Sequence, residues 1–150
     1  MLTRYVVGKA DASWARDFGS RLPTLLPTST HVQEHAGELL GNEGIWILAV
    51  GEFPLLSLPP RLAPALRDRA QHWSRALVGD PAALAREVQP LHVQKIVGPA
   101  FIGFGVAAQS AMDLELVPQS RTLMSNTASM RVAAKLGFEE YGFSVYLKIP

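Results

Sequence analysis

Cysteine is absent from this sequence, which excludes disulfides, thiolate nucleophiles and thiolate metal sites, and fits a reducing compartment. An excess of either charge is missing too: 14 Lys and Arg against 13 Asp and Glu leave a formal net charge of +1. That balance gives no electrostatic case for nucleic acid or an anionic membrane surface as a partner. Long apolar runs are also lacking. The start, MLTRYVVGKADASW, has no apolar stretch of signal-peptide length. Ile45 to Val50 has the length of a buried strand rather than of a membrane span. A soluble, cytoplasmic protein is therefore expected. The four histidines show no zinc-like spacing, and no Ser/His/Asp nucleophile arrangement is visible. No metal site is expected.

What is present is a chain of 150 residues, most simply one domain, punctuated by 11 prolines and 12 glycines into many short elements. Strands are expected near Arg4 to Val7, Ile45 to Val50, Leu55 to Leu58, Val93 to Val97, Arg121 to Met124 and Phe143 to Ile149. Helices are expected near Ala12 to Arg21, Thr30 to Leu40, Leu62 to Leu77, Ala82 to Val88, Val106 to Leu114 and Thr127 to Leu136. Interleaving of this kind predicts an α/β or α+β fold, a mixed sheet flanked by helices. The longest helix, Leu62 to Leu77, is bounded by Pro59-Pro60 and Gly79-Asp80-Pro81, with Leu62, Leu66, Ala70, Trp73 and Leu77 as its apolar stripe. It reads as scaffold, with His72 and Trp73 given to surface and core.

The most informative tract is NTASMRVAAKLGF, Asn126 to Phe138. Asn126 has the side chain of an N-cap. Ala128, Val132 and Leu136 recur at i, i+4 and i+8 and are expected to pack on a sheet. Lys135 sits where the helix dipole favours positive charge, and Gly137 with Phe138 forms the stop.

That spacing resembles the C-terminal half of the GNAT superfamily, the acyl-CoA-dependent N-acetyltransferases. In that family an Asn opens the helix after the fifth core strand, an Ala or Ser follows three residues on, and Gly-Phe closes the helix. Asn126, Ser129, Gly137 and Phe138 occupy those places. The flanking tracts, Arg121 to Leu123 and Phe138 to Ile149, are similar to the family's strands. The resemblance implies a GNAT-like fold over residues 1–150, with an N-terminal α/β part (1–99) and a C-terminal acyl-CoA-binding-like part (100–150). It also implies acetyl-CoA as co-substrate and transfer of its acetyl group to a primary amine, on a small molecule or a peptide.

An acyl-CoA site needs backbone donors for a pyrophosphate, commonly from a Gly-rich turn that opens a helix. Val97 to Asp113 offers Gly103 and Gly105 for such a turn, with a helix beginning near Val106. By itself the Gly-x-Gly pair reads equally as a strand-to-helix turn with no ligand. The turn and the resemblance together give Gly103, Gly105, Val106, Ala107, Asn126 and Ser129 as cofactor-binding residues, while Arg131 on the polar side of the same helix faces either a CoA phosphate or solvent. Val97, Pro99, Gly105 and Ala107 match the family's cofactor loop, but Ile102 stands where it carries Arg or Gln. Ala133 stands where many members place the Tyr that protonates the departing thiolate. From Ala107 to Asn126 the chain is shorter than the family norm by about two helical turns, on the order of 11 Å.

A second alignment accounts for the shortness. SLPPRLAPALRDRA and IVGPAFIGF resemble the N-terminal extension of one GNAT subgroup. On that alignment the chain joins an N-terminal region to the GNAT tail without the middle, and Gly103 to Ala107 is a structural turn.

In the intact family a backbone N–H of the fourth strand stabilises the oxyanion, which by resemblance would be Val97 or Gly98 here. His92, Glu139 and Glu140 are candidate bases, and Tyr141 and Tyr146 candidate acids; none is assigned a catalytic role. The expectation is a GNAT-like N-acetyltransferase with a compromised cofactor and catalytic apparatus. The alternative is a non-catalytic remnant serving as an interaction or regulatory module, for which exposed sheet edges and apolar surface favour a homodimer.

Overall fold

A computed structural model describes residues 2–19, 26–105 and 119–150. Val106, Ala107 and the helix expected over Val106 to Leu114 lie outside the described residues. Six strands form one mixed sheet: β1 (His31–Glu34), β2 (Ile45–Ala49), β3 (Leu55–Leu58), β4 (Lys95–Gly105), β5 (Gln119–Leu123) and β6 (Phe138–Lys148), in the order β1-β3-β2-β6-β4-β5. Only β1 and β3 pair in parallel; the other neighbours are antiparallel. The helices are α1 (Arg4–Phe18), α2 (Ala63–Arg67), α3 (Arg75–Val78), α4 (Pro81–Glu87) and α5 (Thr127–Lys135). Short 3-10 turns stand among them. The protein is thus an α+β fold, and strands from both sides of residue 100 share its sheet.

Alternation along the strands divides the core into two layers. Ile45, Ile47, Ala49, Leu56, Leu58, Phe143, Val145 and Leu147 point to one face, where Leu66, Ala70, Trp73, Val78 and Leu84 from the α2 to α4 region cover them. Trp46, Leu48, Leu55, Ile102, Phe104 and Tyr141 belong to the other layer, covered by Val6, Ala10, Trp14 and Phe18 of α1. All four residues of β3 are buried, as a strand covered on both faces requires.

Three expected elements are corrected. Arg4 to Val7 is not a strand but the first turn of α1. The Thr3 side chain accepts the Val6 N–H, and Val6, Ala10, Trp14 and Phe18 make one buried helical stripe. Thr30 to Leu40 is not a helix; it contains β1 and a single 3-10 turn, Gly37–Leu39. Its conformation is set by parallel pairing with β3, His31 opposite Leu55 through Glu34 opposite Leu58. The long helix Leu62 to Leu77 is broken at Trp73 and Ser74, both extended, where the Ser74 side chain caps α3 by accepting the Leu77 N–H. Its apolar stripe still enters the core, with Leu66, Ala70 and Trp73 buried and Leu62 and Leu77 packed against them.

Candidate functional site

α5 is built as its sequence dictates. Asn126 Oδ1 accepts the Ser129 N–H at 3.1 Å, Lys135 stands in the last turn, and Gly137 adopts φ 77°, the left-handed region that disfavours any Cβ. The helix is turned differently from expectation. Ala128 is exposed, Val132 is 56% exposed and Leu136 57%, so the apolar stripe does not pack on the sheet. Ala133 is the buried residue, with Ser129 and Met130 half-buried beside it.

This rotation opens a groove of about 390 Å³ between β5, α5 and the start of β6. Ser120, Arg121, Thr122 and Ser129 contribute polar groups; Ala128, Val132, Ala133, Leu136 and Phe138 contribute apolar wall. Asn126 caps the helix without lining the groove. Gly103 lies opposite the groove residue Ser120 on β5 and opposite Glu140 on β6, while Gly105 lies opposite Phe138. A Cβ at Gly105 would meet the Phe138 ring at 3.4 Å. Of the expected cofactor residues that are described, Ser129 lines the groove, while Gly103 and Gly105 lie on β4 beside strands that line it.

Gly103 and Gly105 are ladder residues at the end of β4, and the rest of the expected phosphate-cradling turn, Val106 and Ala107, lies outside the described residues. Ile102 sits in the core layer under α1 with no exposed surface. A charged or amide side chain there would lack partners, so burial accounts for an apolar residue at this position. Val97 pairs with Tyr146 at the opposite end of β4 from Gly105. At the usual rise their separation is roughly 25 Å along the strand, so Val97 and Gly98 do not join the Gly105 end of this groove.

The other acid and base candidates are dispersed. His92 is exposed and closes a 3-10 turn in left-handed conformation, φ 53°, instead of lying in a strand. Glu140 pairs with Arg75, and Glu139 lies opposite Phe104. Tyr141 is buried and donates to Asp11 Oδ1 at 2.5 Å; burial, then the Asp11 carboxylate, push its pKa far above the ordinary phenol range. Tyr146 packs its ring on Trp46 with centroids 4.7 Å apart and lies close over Gly44, where a Cβ would clash. Arg131 is exposed.

Sequence reasoning missed two other concavities. One, of about 390 Å³, lies between the end of α1 and the sheet and is lined by Trp14, Asp17, Phe18, Leu39, Trp46, Gln119 and Arg121. These positions are scattered and no motif joins them. The other is lined by His31, Gln33, Glu34, His35 and Arg67. Burial and then the Arg67 charge push the His31 pKa down. Among the described residues no group of three or more His, Asp or Glu could hold a metal ion, and no helix is long and apolar enough to cross a membrane.

No family model, curated protein or solved structure matches this chain. Any functional reading rests on its own residues.

Proposed function

We propose that this chain is a GNAT-like domain that takes acetyl-CoA in the groove between β5 and α5 and passes the acetyl group to a primary amine. The observation that carries the reading is the capped helix itself. Asn126, Ser129, Gly137 and Phe138 stand at the spacing of the resemblance, and Ser129 and Phe138 open onto one groove. That groove offers the Ser120, Thr122 and Ser129 hydroxyls beside apolar wall, a mixture suited to an arm of alternating amide and methylene groups.

In the transfer the amine nitrogen attacks the thioester carbonyl, the C–S bond breaks, and the thiolate takes up a proton as the nitrogen loses one. Ala133 offers no hydroxyl for that proton, and Tyr141 is committed to Asp11. The apparatus is accordingly impaired, and turnover is slow relative to intact enzymes.

A second reading, a non-catalytic remnant that pairs with a second copy, is favoured by the exposed Val132 and Leu136 and by the edge position of β5. Thermal unfolding with and without acetyl-CoA, checked by calorimetric titration, separates the two. Ligand at about a hundred times its Kd adds roughly 2.7 kcal/mol and raises Tm by about 5 to 10 °C. Unchanged Tm at millimolar acetyl-CoA, together with a stable dimer in sedimentation, rejects the enzyme reading in favour of the remnant.

A further inference from the structure

We propose that the cavity between the C-terminal end of α1 and the sheet binds a small aromatic carboxylic acid. This inference is independent of the acetyl-CoA reading. Trp14 and Phe18 of α1, Trp46 of β2 and Leu39 supply apolar wall, and Arg121 and Gln119 of β5 line the cavity with polar groups. The concavity, open on one side, has a volume of about 390 Å³, in the range of small-molecule sites, and accommodates a one-ring or fused two-ring body. Aromatic walls from separate elements favour a planar ring through offset or edge contacts.

Arg121 supplies the charge. Its guanidinium carbon lies 5.1 Å from the centroid of the Trp14 ring, a cation–π contact. Among the described residues no carboxylate forms an ion pair with it. The Asp17 carboxylate, which also lines the cavity, is paired with Arg16 at 3.1 Å rather than with Arg121. A guanidinium stacked on an indole and lacking an anion presents two parallel N–H donors, the arrangement that fits a carboxylate.

The Nε1–H groups of Trp14 and Trp46 are buried and have no hydrogen-bond acceptor. Buried donors normally find partners. Their burial leaves no surface on which a ligand in the cavity could act as acceptor, so the site rests on Arg121 and the aromatic walls, and the two indoles serve as reporters of ring contact. Trp73 Nε1 is also unpartnered, but Trp73 lies in the other core layer, away from this cavity. It serves as an internal control.

The test is a titration of the whole chain, with its indoles labelled with 15N, by 3-phenylpropionate. The expected result is saturating movement of the Trp14 and Trp46 indole resonances with Kd at or below about 1 mM, while Trp73 stays still. Arg121→Met weakens binding at least about tenfold, Arg121→Lys recovers part of it, and neutral 3-phenylpropanamide binds as weakly to the native chain as the acid does to Arg121→Met. Arg121 is exposed, and an unchanged dispersed indole spectrum shows that the variants fold. Absence of saturable movement up to about 10 mM overturns the proposal. So does equal movement of Trp73, or an unchanged Kd in Arg121→Met.

Discussion

The Ser57 hydroxyl donates to Nδ1 of His35 at 2.7 Å, while Nε2–H of the same ring donates to the Gly44 carbonyl at 2.8 Å. A carbonyl only accepts, so Nε2 carries the proton and Nδ1 is the acceptor in a neutral imidazole. Ser57 has no exposed surface, which makes the pair a device for joining β3 to the turn before β2 rather than a nucleophile and base.

Burial lowers the His35 pKa, outweighing the Gly44 bond and the Glu43 charge that raise it; His31 is lowered in the same direction. The unfolded chain therefore binds protons more readily than the folded one. Stability is full above the unfolded value of 6.5 and falls as pH drops through it, levelling off below the lowered folded value. The urea midpoint is expected to decline between about pH 7.5 and pH 5, with a shallower decline in His35→Gln. His35→Ala, which strands the Ser57 hydroxyl and the Gly44 carbonyl, should cost roughly 2 to 4 kcal/mol at neutral pH.

Asn126→Ala removes the acceptor for the Ser129 N–H and should cost about 1 kcal/mol, with Asn126→Asp restoring most of it. Gly137→Ala places a Cβ at φ 77° and should cost roughly 1 to 2 kcal/mol. Chemical denaturation of the three variants measures both ends of α5.

The orientation of that helix predicts an asymmetry between neighbours. Val132→Ser and Leu136→Ser, more than half exposed, should each change stability by no more than about 0.5 kcal/mol. Ala133→Leu forces a larger side chain into a buried position and should cost roughly 1 to 3 kcal/mol. The reverse ranking in denaturation midpoints would show that the stripe faces the sheet after all.

Tyr141 should remain protonated where an ordinary phenol, near 10.0, ionises. Phenolate absorbance of the folded protein between about pH 9 and pH 11 is therefore expected to be the same in Tyr141→Phe. Loss of the bond to Asp11 should cost that variant about 1 kcal/mol in denaturation.

Features written locally were legible before the structure. The Asn126 cap and Gly137 stop lie within one short tract, and β2 and β3 are short apolar runs between turn residues. What failed depended on distant partners. His31–Glu34 becomes a strand because β3 lies beside it, and its half-buried pattern carries no period of its own. Arg4–Val7 looks strand-like in isolation, but the stripe that makes it helical reaches Phe18 across Gly8. Gly103 and Gly105 read as a turn because nothing local reveals that β5 and β6 pair beside them. The Trp14, Trp46 and Arg121 cavity had no sequence signal, since three separate elements meet there.

The central place of β6, between β2 and β4, also constrains when the sheet assembles during synthesis. Until residues 138–148 leave the ribosome, β1-β3-β2 and β4-β5 are separate ribbons with open edges facing a gap. Pairing Ile45 with Leu147 joins residues more than a hundred positions apart, a loop closure that favours slow folding. Nascent chains halted before Phe138 should therefore engage chaperones and remain protease-sensitive, and protection should arise in one step as the last strand inserts.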